Sequence, residues 1–440
     1  MRLTRPMFLT LLFAAAFAVR LGTVLALRDV HVGPQGVASA DDVEFNAIAA
    51  HLAAGQCYTN AAGRPTAMRA PGFPVFLAGI YAAVGERPAV VYLTFCLLGA
   101  ASCLLTYLLA GELFSEGWAR LAGALAAVNL PHAYFAAVYA SENLFVPLLI
   151  LSAWLVVRHL KRDSFPSLVA AGIVLGYAAL TRPFALLLLP AFLTAVAWSQ
   201  WRRRSRALTP AAALAVSFVS VILPWTARNY RVFGRPVLIA NNGGSTFYGG
   251  NNDRVLNEPK LFGYWLSTTE LPHRDLVDAA PDELSHDRVE WRLGLDWVKQ
   301  HPEALPRLAV YKLVRLWAWP HDWDGGKPYY VPLRVATFAP FLLLSTLGVL
   351  RCLRSRAFHT PPWLVVHAGM LATVATAVVF WGSPRFRDAN LGFLMLYAVV
   401  GVQVLVDACR RLRRAARRPT LAKDLLLSPA PGRQPKRVAS

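Results

Sequence analysis

The sequence predicts an all-α polytopic membrane protein, with about ten transmembrane helices and two large extracytoplasmic loops that carry interfacial helices. Three observations lead there. Apolar side chains make up 56% of the 440 residues against 16% charged, and the mean hydropathy is +0.41. Apolar runs recur at lengths near the roughly 20 residues that a helix needs to cross a hydrocarbon core of about 30 Å. The basic residues sit in short clusters between those runs, as in RRRSR at Arg202 to Arg206 and RRLRRAARR at Arg410 to Arg418.

That last pattern decides what the formal net charge of +20 means. A nucleic-acid binder gathers its cations on a soluble face. Cations confined to short loops between apolar runs are instead what the positive-inside rule places in the cytoplasm. Of the five cysteines, Cys96 and Cys103 fall inside an apolar run, Cys352 and Cys409 adjoin basic clusters, and Cys57 alone falls in an outer segment. A disulfide on the outer face within one chain is therefore not expected.

Taken in order, the expected spans are about 6–27, 88–113, 120–138, 144–158, 166–181, 183–200, 209–226, 332–350, 362–381 and 389–408. The first follows Arg2 and Arg5 like a signal peptide, but it is longer than an h-region and lacks a small-residue cleavage site, so it reads as an uncleaved anchor. With the N-terminus inside, ten spans put Arg120, the Arg158/Lys161/Arg162 group, Arg202 to Arg206, Arg351/Arg354/Arg356 and the basic tail on the cytoplasmic side. An eleventh candidate, Pro71 to Val84, would reverse every later cluster. At about 20 Å of helix it is also too short to cross, so it is laid in the outer interface.

The domain organisation that follows is a transmembrane core over 1–226 with a first outer loop at about 28–87, an extracytoplasmic segment over 227–331, C-terminal transmembrane helices over 332–409, and a basic cytoplasmic tail over 410–440 that reads as disordered beyond Arg418. Within the first loop, ADDVEFNAIAAHLAAG reads as an amphipathic interfacial helix with Phe45, Ile48, Ala49 and Leu52 on one stripe. No repeat of fixed period and no inverted-repeat signal for a transporter stands out.

The topology brings Asp41, Asp42, Glu44, Arg69, Glu142, Arg182, Arg228, Arg385, Arg387 and Asp388 to one membrane face. Acids and arginines at one interface suit a site that handles a phosphate anion and a proton. The guanidinium fork matches phosphate and stays charged, and a nearby carboxylate can take a proton from an attacking hydroxyl or amine. Each residue has a plainer reading beside that one. Arg20, inside the first span, reads as a snorkelling cation, with a ligand role the alternative. Arg182 in ALTRPF is also a helix-boundary residue before Pro183. Glu142 in YASENLF is equally a first-turn acid stabilised by the helix dipole, as are Asp41, Asp42 and Glu44. His273, His286, His301 and His321 lack metal-ligand spacing and read as solvated loop residues. NNGGSTFYGGNN, Asn241 to Asn252, lacks the GxxxxGK[ST] pattern and reads as turns that face substrate.

The motifs ADDVEF, PTAMRAPGFPVFLAGIY, SENLF, LTRPF, PWTARNYRVFG with NNGGSTFYGGNN, and GSPRFR, in that order, resemble those of C-type integral-membrane glycosyltransferases, over nearly the whole span from Arg20 to Asp388. The branch is that of bacterial relatives of protein O-mannosyltransferases and of the lipid A aminoarabinose transferase. The resemblance implies inverting transfer of a sugar from a polyprenyl-phosphate donor, with an acid of the first outer loop as base. That acid matches Asp41, four positions before Phe45, where the family usually has Tyr, and Asp42 is the fallback. The second-loop acid matches Glu142, and the donor-phosphate cations match Arg182, Arg228 and Arg385, with Arg69 beside them. Asp388 and Asn390 depart from the more apolar, Pro-containing run that relatives often show after GSPRFR.

The expected function is therefore a glycosyltransferase of the bacterial inner membrane whose active site faces the periplasm or cell exterior. Its partners would be a polyprenyl-phosphate sugar and membrane lipids, with no nucleic acid, and its acceptor is a lipid, a glycan or a protein. No cofactor is required, and a divalent metal beside Asp41 and Glu142 stays open. The alternative is a transporter or flippase of a lipid-linked anion, for which broken helices in two corresponding halves and charge near the midplane are expected.

Overall fold

The computed structural model describes residues 4–27, 40–202, 209–318 and 330–426, and among these the secondary structure is helical, with one isolated β-bridge between Thr59 and Pro65. The stretch 28–39, the basic cluster 203–206 and His321 lie outside the described residues. The first half runs through α1 (Arg5–Leu27), α2 (Ala40–Ala53), α3 (Gly72–Val84), α4 (Pro88–Leu113), α5 (Glu116–Ala127), α6 (Leu130–Ala133), α7 (Glu142–Arg162), α8 (Phe165–Thr181), α9 (Leu188–Arg202) and α10 (Thr209–Phe233). An outer lobe follows, of α11 (Gly243–Gly250), α12 (Asp253–Asn257), α13 (Arg274–Asp278), α14 (Glu283–Gln300) and α15 (Leu305–Trp317). The chain closes with α16 (Tyr330–Arg354), α17 (Pro361–Val379), α18 (Pro384–Asp388) and α19 (Leu391–Leu426).

Seven helices among the described residues are long and apolar enough to cross a membrane: α1, α4, α7, the segment Pro183–Trp201, α10, α17 and the first two-thirds of α19. The chain is a multi-pass membrane protein. Two further expected spans correspond to the 17-residue α8 and to α16. The tenth is corrected, because 120–138 is not one helix. The helix α5 stops at Ala127, and Asn129 then accepts a hydrogen bond from the His132 amide to cap α6, with Pro131 in its first turn. A proline lacking an N–H and a capping side chain end one helix and begin another, whatever the hydropathy of the window. The tail expected after Arg418 continues α19 as far as Leu426, and residues 427–440 lie outside those described.

One large apolar core joins α1, α4, α5, α7, α8, α9, α10, α17 and α19. The helices α16 and α19 cross through facing glycines. A methyl group at Gly348 would overlap the Tyr397 carbonyl, and one at Gly401 would overlap the Leu344 carbonyl, so the two backbones approach as small residues allow inside membranes. A second core forms where α2 and α3 dock on α4, with Phe45 edge-on to Phe73 at 5.1 Å. The stripe expected for α2 is borne out, since Phe45, Ile48 and Ala49 are buried and Leu52 packs against them.

The outer lobe has its own core around Tyr248, Val255, Trp297 and Leu308. The Gly/Asn run read as turns is the helix α11. Its glycines let it lie tight against α14, with Gly244 on the Asp287 backbone, while Phe247 stacks on Trp291 at 4.8 Å. Close packing there outweighs the low helix propensity of glycine. Lys312 seats the lobe on the membrane part. Only 1% exposed, its ammonium donates to Asn251 Oδ1 at 2.8 Å and to the Val378 carbonyl at 3.1 Å, in the last turn of α17, where helix carbonyls lack internal donors. The Gly382 amide adds a bond to the Gly263 carbonyl at 2.9 Å. The strand of chain from α17 to α18 is thereby held by the lobe.

Candidate active site

The site assembles at one end of the helix bundle from three distant stretches. SENLF places Glu142 in the first turn of α7, after Ser141. The segment beneath it is drawn in by Asn143, whose amide donates to the carbonyls of Phe135, Val138 and Ala140 at 2.8 to 3.1 Å. In LTRPF, Pro183 excludes its predecessor from the helical region. Arg182 accordingly adopts φ −144° and ψ 119°, α8 ends at Thr181, and the arginine side chain is turned away from the helix. In GSPRFR, Ser383 caps α18 by accepting from the Arg385 amide, which fixes Arg385 in the first turn.

Their side chains converge on Glu142, which is fully buried. Arg182 Nη1 lies 2.5 Å from Glu142 Oε1 and also donates to Ser141 Oγ at 3.1 Å. Arg385 grips the same carboxylate bidentately, with Nε on Oε1 and Nη2 on Oε2 at 2.8 Å. The guanidinium-bearing side chains keep 19% and 24% of their surface accessible. Two guanidinium groups from separate helices thus meet on one buried carboxylate and keep part of their surface accessible. Both carboxylate oxygens face guanidinium groups, and among the described residues no group of three His, Cys, Asp or Glu side chains is placed to hold a metal.

Arg69 lies beside this cluster. Gly72 packs against Thr181, close enough that a Cβ would meet the Thr181 amide nitrogen at 2.8 Å, and Tyr177 donates to the Gly72 carbonyl at 3.1 Å. The turn that carries Arg69 is thus docked on the end of α8 that carries Arg182. Arg69 Nε bonds Glu44 Oε2 at 2.5 Å, and its guanidinium lies 5.8 Å from the Phe45 ring centre. Asp41 and Asp42 occupy the first turn of α2, and their side chains lie outside the described residues.

Arg228 is placed differently. Its Nη1 and Nη2 donate to the carbonyls of Thr66 and Tyr58, each at 2.8 Å, and Trp225 lies under it at 4.9 Å. It staples the 58–66 loop to α10. Glu283 completes that staple from α14, accepting from Thr66 Oγ1 at 2.8 Å and from the Ala67 amide at 2.7 Å. Arg20, read as snorkelling, is fully buried instead. Its Nη1 donates to the Ala16 carbonyl at 2.9 Å, its Nη2 reaches His132 Nδ1 at 2.8 Å and Cys103 at 3.2 Å, and Nε has no hydrogen-bond partner. Space for it exists because position 99 is glycine, whose Cβ would collide with the guanidinium.

Two contributors escaped the sequence reading. Glu283 and Lys312 fall in an outer segment that offered no motif, although Lys312 shares a four-residue spacing with Leu308 and Leu316, and all three are buried. Arg387, which the sequence reading did place at the same face as the site residues, caps the end of α15, donating to the carbonyls of Leu316 at 3.2 Å and Ala318 at 3.0 Å, while its Nε pairs with Asp388 at 2.9 Å. It holds the lobe's last helix against α18.

Residues 68–226 match the sequence pattern of the dolichyl-phosphate-mannose-protein mannosyltransferase family, a stretch that contains Arg69, Glu142 and Arg182. No curated protein sequence is matched. Among solved structures, the oligosaccharyltransferase of Archaeoglobus fulgidus in the apo form is 14% identical, with 91% of this chain and 52% of that chain covered and a TM-score of 0.49. The archaeal oligosaccharyltransferase AglB of the same organism, in complex with an inhibitory peptide and a dolichol-phosphate, is 12% identical over 91% of this chain and 51% of that one, with a TM-score of 0.47. ArnT from Cupriavidus metallidurans bound to undecaprenyl phosphate is 16% identical over 91% and 78%, with a TM-score of 0.41. The chain spans about half the length of the two archaeal proteins. Over residues 68–226 the chain carries the pattern of the dolichyl-phosphate-mannose-protein mannosyltransferases, and over that stretch the glycosyltransferase resemblance drawn from its motifs is borne out.

Proposed function

We propose that the protein is an inverting glycosyltransferase of the bacterial inner membrane, moving a sugar from a polyprenyl-phosphate donor to a lipid, glycan or protein acceptor at the extracytoplasmic face. One observation carries the reading: two arginines from separate helices are fixed on one buried glutamate, with part of each guanidinium-bearing side chain accessible at the end of a membrane bundle. Such an array suits a phosphate that gains charge as the sugar departs, since preorganised donors stabilise developing charge most where water is scarce. The match of residues 68–226 to the mannosyltransferase family supports the same chemistry.

In the proposed step the acceptor's O–H or N–H loses its proton to Asp41. The acceptor's electron pair forms the new bond to the anomeric carbon, and the bond from that carbon to the phosphate oxygen breaks with its electrons on the oxygen. The leaving group is polyprenyl phosphate, held by Arg182 and Arg385. Glu142 then acts as a positioning residue, because both its oxygens are already engaged by guanidinium groups. Arg69, paired with Glu44 on the helix that bears Asp41, adds charge to the donor side. Arg228 supports the loop above rather than the phosphate itself. Any divalent ion would need Asp41 and donors other than Glu142.

The test is Asp41→Asn in purified, membrane-reconstituted protein given a labelled polyprenyl-phosphate sugar. The parent protein should release polyprenyl phosphate, and the variant should fold normally yet fall by about 100-fold or more, the scale of a lost general base. Near-parental release by the variant would remove Asp41 as base. Transbilayer movement of the intact donor without release would favour a flippase.

A further inference from the structure

The outer lobe carries a cleft apart from the arginine cluster, between the start of α12, the end of α14 and the loop at Pro272, with room of about 350 Å³. That is within the size range of small-molecule sites. One wall is aromatic, with the His301 ring, its side chain 35% exposed, laid over the buried Trp297. Trp297 and His301 stack with ring centres 5.0 Å apart at 24°, and Tyr248 is fixed beside them by donating to the Pro272 carbonyl at 2.9 Å.

The polar atoms at the rim are mostly acceptors. Asp253 Oδ1 takes the Trp297 indole N–H at 2.8 Å, while among the described residues Oδ2 has no donor. His301 Nδ1 lies 3.0 Å from the Trp297 carbonyl, which can only accept, so in the neutral ring Nε2 carries the lone pair. That Nε2 faces Asp253 Oδ1 at 4.0 Å, too far for a direct bond but spaced for a donor set between them. Asp296 keeps its nearest cations at 3.9 and 4.0 Å, outside hydrogen-bond range, and the Gln300 amide is exposed.

The charge at the rim selects the ligand class. Arg254 is turned onto Glu258 at 2.6 Å and Glu270 at 3.8 Å, so it does not offset Asp253 and Asp296. The acceptor atoms left open at Asp253 and Asp296 favour a ligand rich in donors. The accessible face of His301 beside these carboxylates is suited to a pyranose, whose C–H face packs on a ring while its neighbouring hydroxyls donate. We propose that this cleft is a saccharide subsite for the uncharged, non-reacting part of a glycan acceptor. The inference rests on the transfer reading above. Asn252 lines the cleft, and its neighbour Asn251 donates to the Val379 carbonyl at 3.0 Å and accepts from Lys312, so the cleft lies in the lobe that Lys312 seats on the membrane helices. Binding energy from such a remote group can be used to orient the reacting hydroxyl.

The test uses the full chain in nanodiscs with methyl α-mannopyranoside and chitobiose as probes. Saturation-transfer NMR should show ring-proton signals that drop at least fivefold in D253N/D296N. Both carboxylates are exposed, so this isosteric pair should leave the unfolding midpoint unchanged. Transfer to a glycan acceptor should then show a fivefold rise in apparent KM with kcat retained. Absence of saturation in the parent protein, equal signals in the variant, or displacement by simple amines or Ca²⁺ but not by sugars would each overturn the inference. If sugars bind but no polyprenyl phosphate is ever released, the transfer reading fails while the subsite stands; release without sugar binding sinks the subsite alone.

Discussion

Replacing Glu142 by Gln keeps the side-chain volume and removes one charge from the centre of the arginine cluster. Two guanidinium groups, one at 2.5 Å and the other bidentate with its Nη2 at 2.8 Å, would then face a neutral amide and each other. Breaking a fully buried pair costs about 3–5 kcal/mol. Here the glutamate is fully buried, but the arginines remain 19% and 24% accessible and can regain water, so a loss of about 2–3 kcal/mol is expected. Tryptophan fluorescence during denaturant unfolding in micelles measures that loss. Turnover should fall by about 100-fold, the scale of an error of about 1 Å in positioning. Glu142→Asp, which keeps the charge but shortens the reach, should fall between the two. A Gln variant with parental stability would refute the clamp. A Gln variant of parental stability with no turnover would make Glu142 the proton acceptor instead.

Two further outcomes probe the lobe. Burial raises the Asp287 carboxyl from 3.8 to about 6, although it accepts the Gly244 amide at the start of α11. Its contribution to stability should be full below pH 3.8 and be lost as pH rises through about 6, because the folded state holds the proton more tightly than the unfolded state. Asp287→Asn should flatten the unfolding midpoint across that window, and an unchanged slope would contradict the assignment. Lys312→Met leaves the Asn251 and Val378 acceptors without their donor, at about 1–3 kcal/mol for each buried group. Limited proteolysis should then cut the 243–317 lobe faster while the membrane helices stay protected; parental resistance would show that the lobe is seated by other contacts.

The helical, membrane-crossing character of the chain was legible in the sequence because it depends on run length and hydropathy, which are local sums. Proline punctuation was equally local. Pro183 after Arg182 marked a helix end, and Asn129 with Pro131 marked another, although the apolar window over 120–138 masked it. The kinds of residue at the site were legible too, as acids and arginines expected at one end of the helix bundle. Their pairing was not. Glu142 and Arg385 are separated by 243 positions, and which arginine grips the carboxylate and which staples a loop depends on how α7, α8, α10 and α18 pack. The same holds for Arg20, buried because Gly99 leaves it a slot and His132 offers a lone pair, and for the glycine run of α11, helical because α14 lies against it. Residue type and spacing determine which groups are present and which elements form. The tertiary structure decides which buried charge meets which partner, because that depends on backbone approach between segments far apart in the chain.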